Sequence, residues 1–170
     1  MLGNTPLLKQ PDIEAAAALE SAVATEAATP LIVESRFGQL KILPENILTL
    51  PKGLFGFSDH HEFGLANLPE GKHPQFKALQ CMTEPDLTFL VVPFNIVSGA
   101  IDDADIDEAC AALTISHEEL AVFLIVTVRR ENNEVQVSVN LRAPIFVDIV
   151  RHLGRQYVLA DNKYSIRHVL

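Results

Sequence analysis

The sequence predicts a mainly β protein, a single small domain shaped as a closed or nearly closed antiparallel β-barrel with one or two short helices. Three observations predict it. Apolar residues recur at period two through most of the chain from Leu31 onward, the spacing of strands with one buried face. Clusters of Pro, Gly, Asn and Asp break these runs at short intervals, as turns between strands do. Helical spacing is confined to Ile106, Ala109, Cys110 and Leu113, so the strands must find their partners among themselves, and closure into a barrel removes their edges.

Met1 to Pro30 stand apart from this pattern. Ala15 to Ala18, Ala22, Ala24, Ala27 and Ala28 lie among scattered acids with no aromatic residue, which leaves little surface to bury. Ile13, Leu19 and Val23 suit a short helix, but isolated helices of this length are marginal in water and Pro30 stops any continuation. Residues 1–30 are read as a mobile alanine-rich tail and 31–170 as the folded body.

In the body, Leu31, Val33, Ser35 and Phe37 alternate with Ile32, Glu34 and Arg36, then Gly38 turns the chain and Leu40 and Ile42 resume. This predicts an opening hairpin. Pro44-Glu45-Asn46 turns the chain again, Ile47 to Leu50 is a third strand, and Pro51-Lys52-Gly53 closes it before the aromatic-glycine segment Leu54-Phe55-Gly56-Phe57. Phe63 to Leu68 is a further strand and Pro69 to Pro74 a polar loop. The stretch from Phe76 to Phe94 reads as a hairpin built into the core. Phe76, Ala78 and Gln80 alternate with Lys77, Leu79 and Cys81, Leu87 to Val92 is nearly all apolar, and Thr83-Glu84-Pro85-Asp86 is the turn, with two carboxylates at its tip.

After Phe94 the period becomes helical, and Asp102, Asp103 and Asp105 suit the positive end of a helix dipole. Ser116 followed by Glu119 matches a capping box, predicting one helical turn up to Leu120. Ala121 to Arg130 and Val135 to Leu141 form the clearest hairpin, joined at Glu131-Asn132-Asn133-Glu134. Asn140 to Pro144 predicts a fixed bend, because proline cannot extend a central ladder. Ile145 to Val150 and Gln156 to Leu159 are two more strands with Gly154 between them, and Asp161-Asn162-Lys163 is a turn.

At 170 residues with 48% hydrophobic composition and no internal repeat, the chain is one domain's worth of sequence. No apolar run approaches the roughly 18 residues of a membrane span, and Met1 to Gln10 lacks the layout of a signal peptide. Cys81 and Cys110 form no C-x-x-C pair. These features point to a cytoplasmic, reducing compartment with no membrane association. The net charge is −9. Lys9 against Asp12, Glu14, Glu20 and Glu26 places −3 of it on the tail and −6 on the body. Such a balance repels phosphate backbones and argues against direct nucleic-acid binding while favouring a basic partner.

Catalytic and metal chemistries fail on spacing. An EF-hand loop starting at Asp103 needs glycine at Glu108 and glutamate at Thr114. His60-His61-Glu62 lacks the spacing of four on a helix that a zinc pair needs. His73, His117, His152 and His168 are dispersed, Cys81 and Cys110 read as buried fillers, and Gly53, Gly56 and Gly64 do not join a strand to a helix as a phosphate loop would. No enzyme, cofactor or metal is expected. What remains is a binding rim of apolar groups near turns (Phe55, Phe57, Phe94) and carboxylates at loop tips (Glu84, Asp86, Asp102, Asp103).

The order of segments resembles the flagellar assembly factor FliW family. The matching pieces are Arg36-Phe37-Gly38, the run from Ile47 to Phe57 (ILTLPKGLFGF), Pro74-Gln75-Phe76, Leu79-Gln80, Glu84-Pro85-Asp86-Leu87-Thr88-Phe89, Ile125 to Val128, Val139-Asn140-Leu141-Arg142-Ala143-Pro144-Ile145, and the ending Tyr164-Ser165-Ile166-Arg167-His168. The resemblance runs from about Leu31 to Leu170. Cys81 stands where serine is usual after Leu-Gln, and Met82-Thr83 where the family is often more acidic. The resemblance implies a non-enzymatic regulator with a small β-barrel-like fold and two alternative partners, flagellin and the RNA-binding translational repressor CsrA. Accumulating flagellin would occupy the protein and free the repressor; exported flagellin would release the protein to bind the repressor, so that flagellin translation resumes. A small β-barrel ligand-binding protein is the alternative, and a hydrolase using Cys81 or a histidine a third reading, which requires a second catalytic group beside it in a cleft.

Overall fold

The computed structural model describes residues 28–71 and 73–170; the predicted tail lies, as far as Ala27, outside the described residues. The strands are β1 Leu31–Ser35, β2 Gly38–Ile42, β3 Ile47–Thr49, β4 Glu62–Asn67, β5 Lys77–Cys81, β6 Thr88–Pro93, β7 Leu120–Glu131, β8 Glu134–Val139, β9 Ile145–Asp148, β10 Leu153–Gln156 and β11 His168–Val169, with one α-helix, α1 Asp103–Leu113.

The strands β7-β6-β5-β4-β3-β10-β9 form a ring, because β9 pairs back onto β7. The predicted barrel therefore closes, with one difference. β10 runs parallel to β3, placing Leu153 beside Thr49, while the other pairings are antiparallel. That last seam joins strands far apart in sequence, so no hairpin turn dictates its direction.

The long strand β7 serves two neighbours along one edge. Leu120 to Phe123 pair with β9, and Val126 to Glu131 pair with β8. The crossing between them is the bend predicted at Asn140 to Pro144. Asn140 Oδ1 accepts the backbone N–H groups of Arg142 (3.0 Å) and Ala143 (3.1 Å), which fixes the bend. The β7–β8 hairpin turns in two residues, Asn132 (φ 48°) and Asn133 (φ 67°), the left-handed pair that a twisted ribbon requires.

Alternation sorts the side chains into three cores. Leu48, Leu50, Phe63, Leu65, Leu79, Cys81, Val91, Phe123, Ile145 and Val147 fill the barrel interior. The opposite residues of β7 (Leu120, Val122, Leu124, Val126) face outward and are covered by Ile106, Ala109 and Cys110 of α1, with Phe94, Leu159 and Tyr164. The β1–β2 hairpin covers Ala66 and Ala78 with Leu40 and Ile42. Gly64 permits this cover, since a Cβ there would stand 2.6 Å from Ile42 Cδ1.

Two local expectations are corrected and one strand is added. Gly154 lies inside β10 rather than before it, in close contact with the Leu50 side chain, whose Cδ1 would stand 3.1 Å from a Cβ there; the regular strand is Leu153–Gln156, and Tyr157 and Leu159 continue with single hydrogen bonds to Pro144 O and Arg142 O. Ser116 makes no side-chain cap; the 3-10 turn His117–Glu119 is closed by Glu119 N–H to Ser116 O. The C-terminal His168–Val169 is a strand, paired to Val139 and Ser138.

A polar clasp ties the C-terminal segment to the start of α1. Lys163 Nζ reaches Asp102 (2.6 Å) and Asp161 (3.1 Å), which raises its pKa through hydrogen bonds to both carboxylates. The buried Tyr164 hydroxyl donates to Asp105 and accepts the Asp102 N–H at 3.0 Å. Burial, and then the bond to Asp105, push the phenol pKa up.

Candidate functional site

Two connections meet at one mouth of the barrel, the β3–β4 loop and the β5–β6 turn. The loop folds back on itself at Gly53, whose φ of +61° and whose approach to Phe57 O, 2.3 Å from where a Cβ would stand, exclude a side chain. Gly53 N–H bonds Leu50 O at 2.9 Å and Phe57 N–H bonds Leu54 O at 2.8 Å. Leu54 plugs the core, while Phe55 is left 58% exposed and Phe57 38% exposed. Neither ring sits on a loose loop. The Phe55 N–H is held by Gln156 Oε1 at 2.9 Å, Gln156 in turn donates to Ala143 O at 3.1 Å, and Phe57 packs edge-on against Phe89 at 5.1 Å.

The β5–β6 turn is held from inside by Gln80, a fully buried amide on the outer face of β5. Its Nε2 donates to Cys81 O (2.8 Å), Glu84 O (3.0 Å) and Pro85 O (3.3 Å), and its Oε1 accepts the Thr88 hydroxyl. The Leu87 N–H closes the turn onto Glu84 O. Glu84 and Asp86 are thus exposed carboxylates on a fixed backbone. Sequence reasoning missed the role of Gln80 and Gln156; for Gln80 the signal available was an amide at the end of a buried strand, next to a turn whose carbonyls need donors.

Behind this turn, Cys81 Sγ lies 3.5 Å from His60 Nδ1 and 3.4 Å from Thr83 Oγ1. The fold therefore gives Cys81 a neighbouring histidine that the sequence spacing did not show. The thiol is 1% exposed and belongs to the barrel core, so it faces packed side chains rather than a cleft. His61 Nδ1 stands 3.1 Å from Leu50 O. Among the described residues no group of three or more His, Cys, Asp or Glu is arranged to hold a metal, and no helix is long and apolar enough to cross a membrane.

The seven predicted rim residues do not form one rim. Phe55, Phe57, Glu84 and Asp86 share the mouth just described, whereas Phe94, Asp102 and Asp103 lie beyond the other end of β6, roughly 20 Å along the chain direction at ~3.3 Å per residue. Phe94 is corrected to a core residue, 7% exposed, packed with Ile101 and Ile106 under α1. Asp102 is engaged by Lys163, and Asp103 opens α1 on its solvent face.

Both regions share a charge sign. Between Lys77 and Arg129 the chain has no Lys or Arg, while Glu84, Asp86, Asp107, Glu108 and Glu118 are all exposed. His117 Nε2 is 2.8 Å from Asp107 Oδ1. This arrangement suits recognition of a cationic surface with aromatic anchors beside it.

Comparison with known proteins agrees with the fold and with the resemblance. The family model described as FliW protein matches residues 31–170. A flagellar assembly factor FliW of Desulfitobacterium hafniense is 39% identical over 141 residues, covering 82% of this chain and 90% of the relative. One from Oceanobacillus iheyensis is 35% identical over 136 residues, covering 79% and 89%. A crystal structure of the flagellar assembly factor FliW superposes with a TM-score of 0.65 at 26% identity, covering 82% of this chain and 96% of that one. With the ring of strands, the matched span and these identities together, the chain belongs to the FliW family of flagellar assembly factors.

Proposed function

We propose that this protein acts in the cytoplasm as a non-enzymatic partner switch, binding flagellin and, alternatively, the translational repressor CsrA, and so relieving repression of flagellin translation. The observation that carries this reading is the barrel mouth, where the exposed Phe55 and Phe57 stand on hydrogen-bonded backbone beside the acidic turn Glu84–Asp86. A repressor that holds RNA phosphates presents a basic surface, and a carboxylate pair on a rigid turn needs no reordering to meet it. The barrel interior is filled by side chains from the strands themselves, which favours a surface function over the small-ligand alternative. Burial of Cys81 within that interior likewise favours binding over hydrolysis.

Charge reversal at the mouth tests the reading. Glu84→Lys with Asp86→Lys should slow association with purified CsrA and spare flagellin, because exposed charges act mainly on the on-rate and are screened beyond about 8 Å at physiological ionic strength. Titration of both partners at low and high salt gives the answer. Equal salt sensitivity of the two partners, or an unchanged CsrA on-rate in the double variant, would overturn it.

A further inference from the structure

Phe55 sits at the apex of a turn whose closing bond does not hold it. Leu54 to Phe57 is a β-turn: the Phe57 N–H donates to Leu54 O at 2.8 Å, and Gly56 occupies the third position at φ +84°. A turn of this kind uses the N–H of its fourth residue and leaves that of its second, here Phe55, without a partner inside the turn. Leu54 roots one end in the barrel core, and Phe57 leans on Phe89 at the other. What remains to be fixed is the tilt of the apex, and with it the direction of the Phe55 ring.

Gln156 fixes it from 101 residues away in the chain. Its Oε1 accepts the Phe55 N–H at 2.9 Å while its Nε2 donates to Ala143 O at 3.1 Å. The two bonds set the amide's orientation, since turning it over would place Oε1 against a carbonyl oxygen and Nε2 against an N–H. The far end is itself anchored. Ala143 is buried, its N–H donates to Asn140 Oδ1 at 3.1 Å, and the Tyr157 N–H donates to Pro144 O at 3.0 Å. Gln156 is held in turn by β10, where it pairs with Ile145 of β9. The tilt of the apex is thus referenced to the Asn140–Pro144 bend between β8 and β9.

We infer that Gln156 is a positioning residue for partner recognition at the barrel mouth, acting through Phe55 rather than by a contact of its own. This assignment rests on the mouth being the surface that CsrA meets. An amide serves both backbone groups, one needing an acceptor and the other a donor; a carboxylate serves the Phe55 N–H alone, and a thioether serves neither. A ring that is already held need not be ordered when the partner arrives, so releasing it weakens binding roughly two- to tenfold, the range for one side chain ordered at an interface.

Gln156→Met and Gln156→Glu in the full-length protein separate positioning from stability. Both lose the donor to Ala143 O, but only the glutamate keeps an acceptor for the Phe55 N–H. Two measurements are made: calorimetric titration with purified CsrA at high salt, where an added surface charge is screened, and amide hydrogen exchange at Phe55. Gln156→Met is expected to weaken CsrA binding about fivefold and to speed exchange at Phe55 about tenfold, while Gln156→Glu holds both within about twofold of wild type. Phe55→Ala should weaken binding at least as much, and adding Gln156→Met to it should cost nothing further, because the two act through one contact. Losses that add in the double variant, equal affinities for Gln156→Met and Gln156→Glu, or unchanged exchange at Phe55 each overturn the assignment. Wild-type affinity in Gln156→Met beside a weakened Phe55→Ala overturns the assignment and leaves the mouth as the binding surface. If Phe55→Ala itself binds CsrA as wild type does, the reading of the mouth fails and the assignment falls with it.

Discussion

Replacing Gln80 by methionine keeps the volume of the side chain and removes every polar contact it makes. In the fold that amide supplies donors to Cys81 O, Glu84 O and Pro85 O and an acceptor to the Thr88 hydroxyl; Gln80, Cys81 and Thr88 are buried, while Glu84 and Pro85 are exposed. Glu84 O retains the Leu87 N–H and Pro85 is open to solvent, so the groups stranded are chiefly Cys81 O and the Thr88 hydroxyl. Each buried unsatisfied group costs about 1–3 kcal/mol, partly offset by the apolar gain of the thioether, for a net loss of about 2–3 kcal/mol. For a chain of this size that is a fall in Tm of about 5–10 °C. Thermal unfolding followed by circular dichroism measures it, and hydrogen exchange at Leu87 and Thr88 reports whether the turn loosens. On the proposed partner switch, the functional corollary is slower association with CsrA, because Glu84 and Asp86 no longer sit on a fixed backbone. A Tm within 2 °C of wild type, together with unchanged exchange at the turn, would show that Gln80 does not hold it.

Gly64→Val forces a side chain into the 2.6 Å and 2.7 Å gaps to Ile42 Cδ1 and Cγ2; an overpacking cost of about 1–3 kcal/mol is expected, with the β1–β2 cover displaced, read as a lower urea midpoint and faster exchange in β1 and β2. Asp148 titrates in a different way. Burial pushes its pKa up, but backbone N–H groups of Arg151 and Val150 and the Arg151 guanidinium outweigh this and hold it below its ordinary value. A carboxyl depressed in the fold stabilises above its unfolded pKa of about 3.9 and loses that contribution as pH falls through its folded pKa. Asp148→Asn should therefore be less stable than wild type at pH 7, with the gap shrinking below about pH 4, as measured by urea unfolding at both pH values.

Strand existence was legible in the sequence where one face of a strand is buried: in β2 the buried Leu40 and Ile42 alternate with the exposed Gln39 and Lys41, and the period of two records that. Closure of the ring was foreseeable from strand number and spacing, but the direction of the β3–β10 seam was not, since Thr49 and Leu153 meet without any connecting turn to carry a signal. Gly154 looked like punctuation and is a packing glycine, the same residue type answering a different constraint. The site was legible in part. Glycines and a proline marked the loop tips that carry Phe55, Phe57, Glu84 and Asp86, yet Phe94 is core because its turn folds under α1, and an aromatic near a turn reads alike in both cases. Gln80 and the exposed Val128 and Val135 were hidden for opposite reasons. One is polar and buried, the other apolar and exposed, and alternation alone assigns both to the wrong environment.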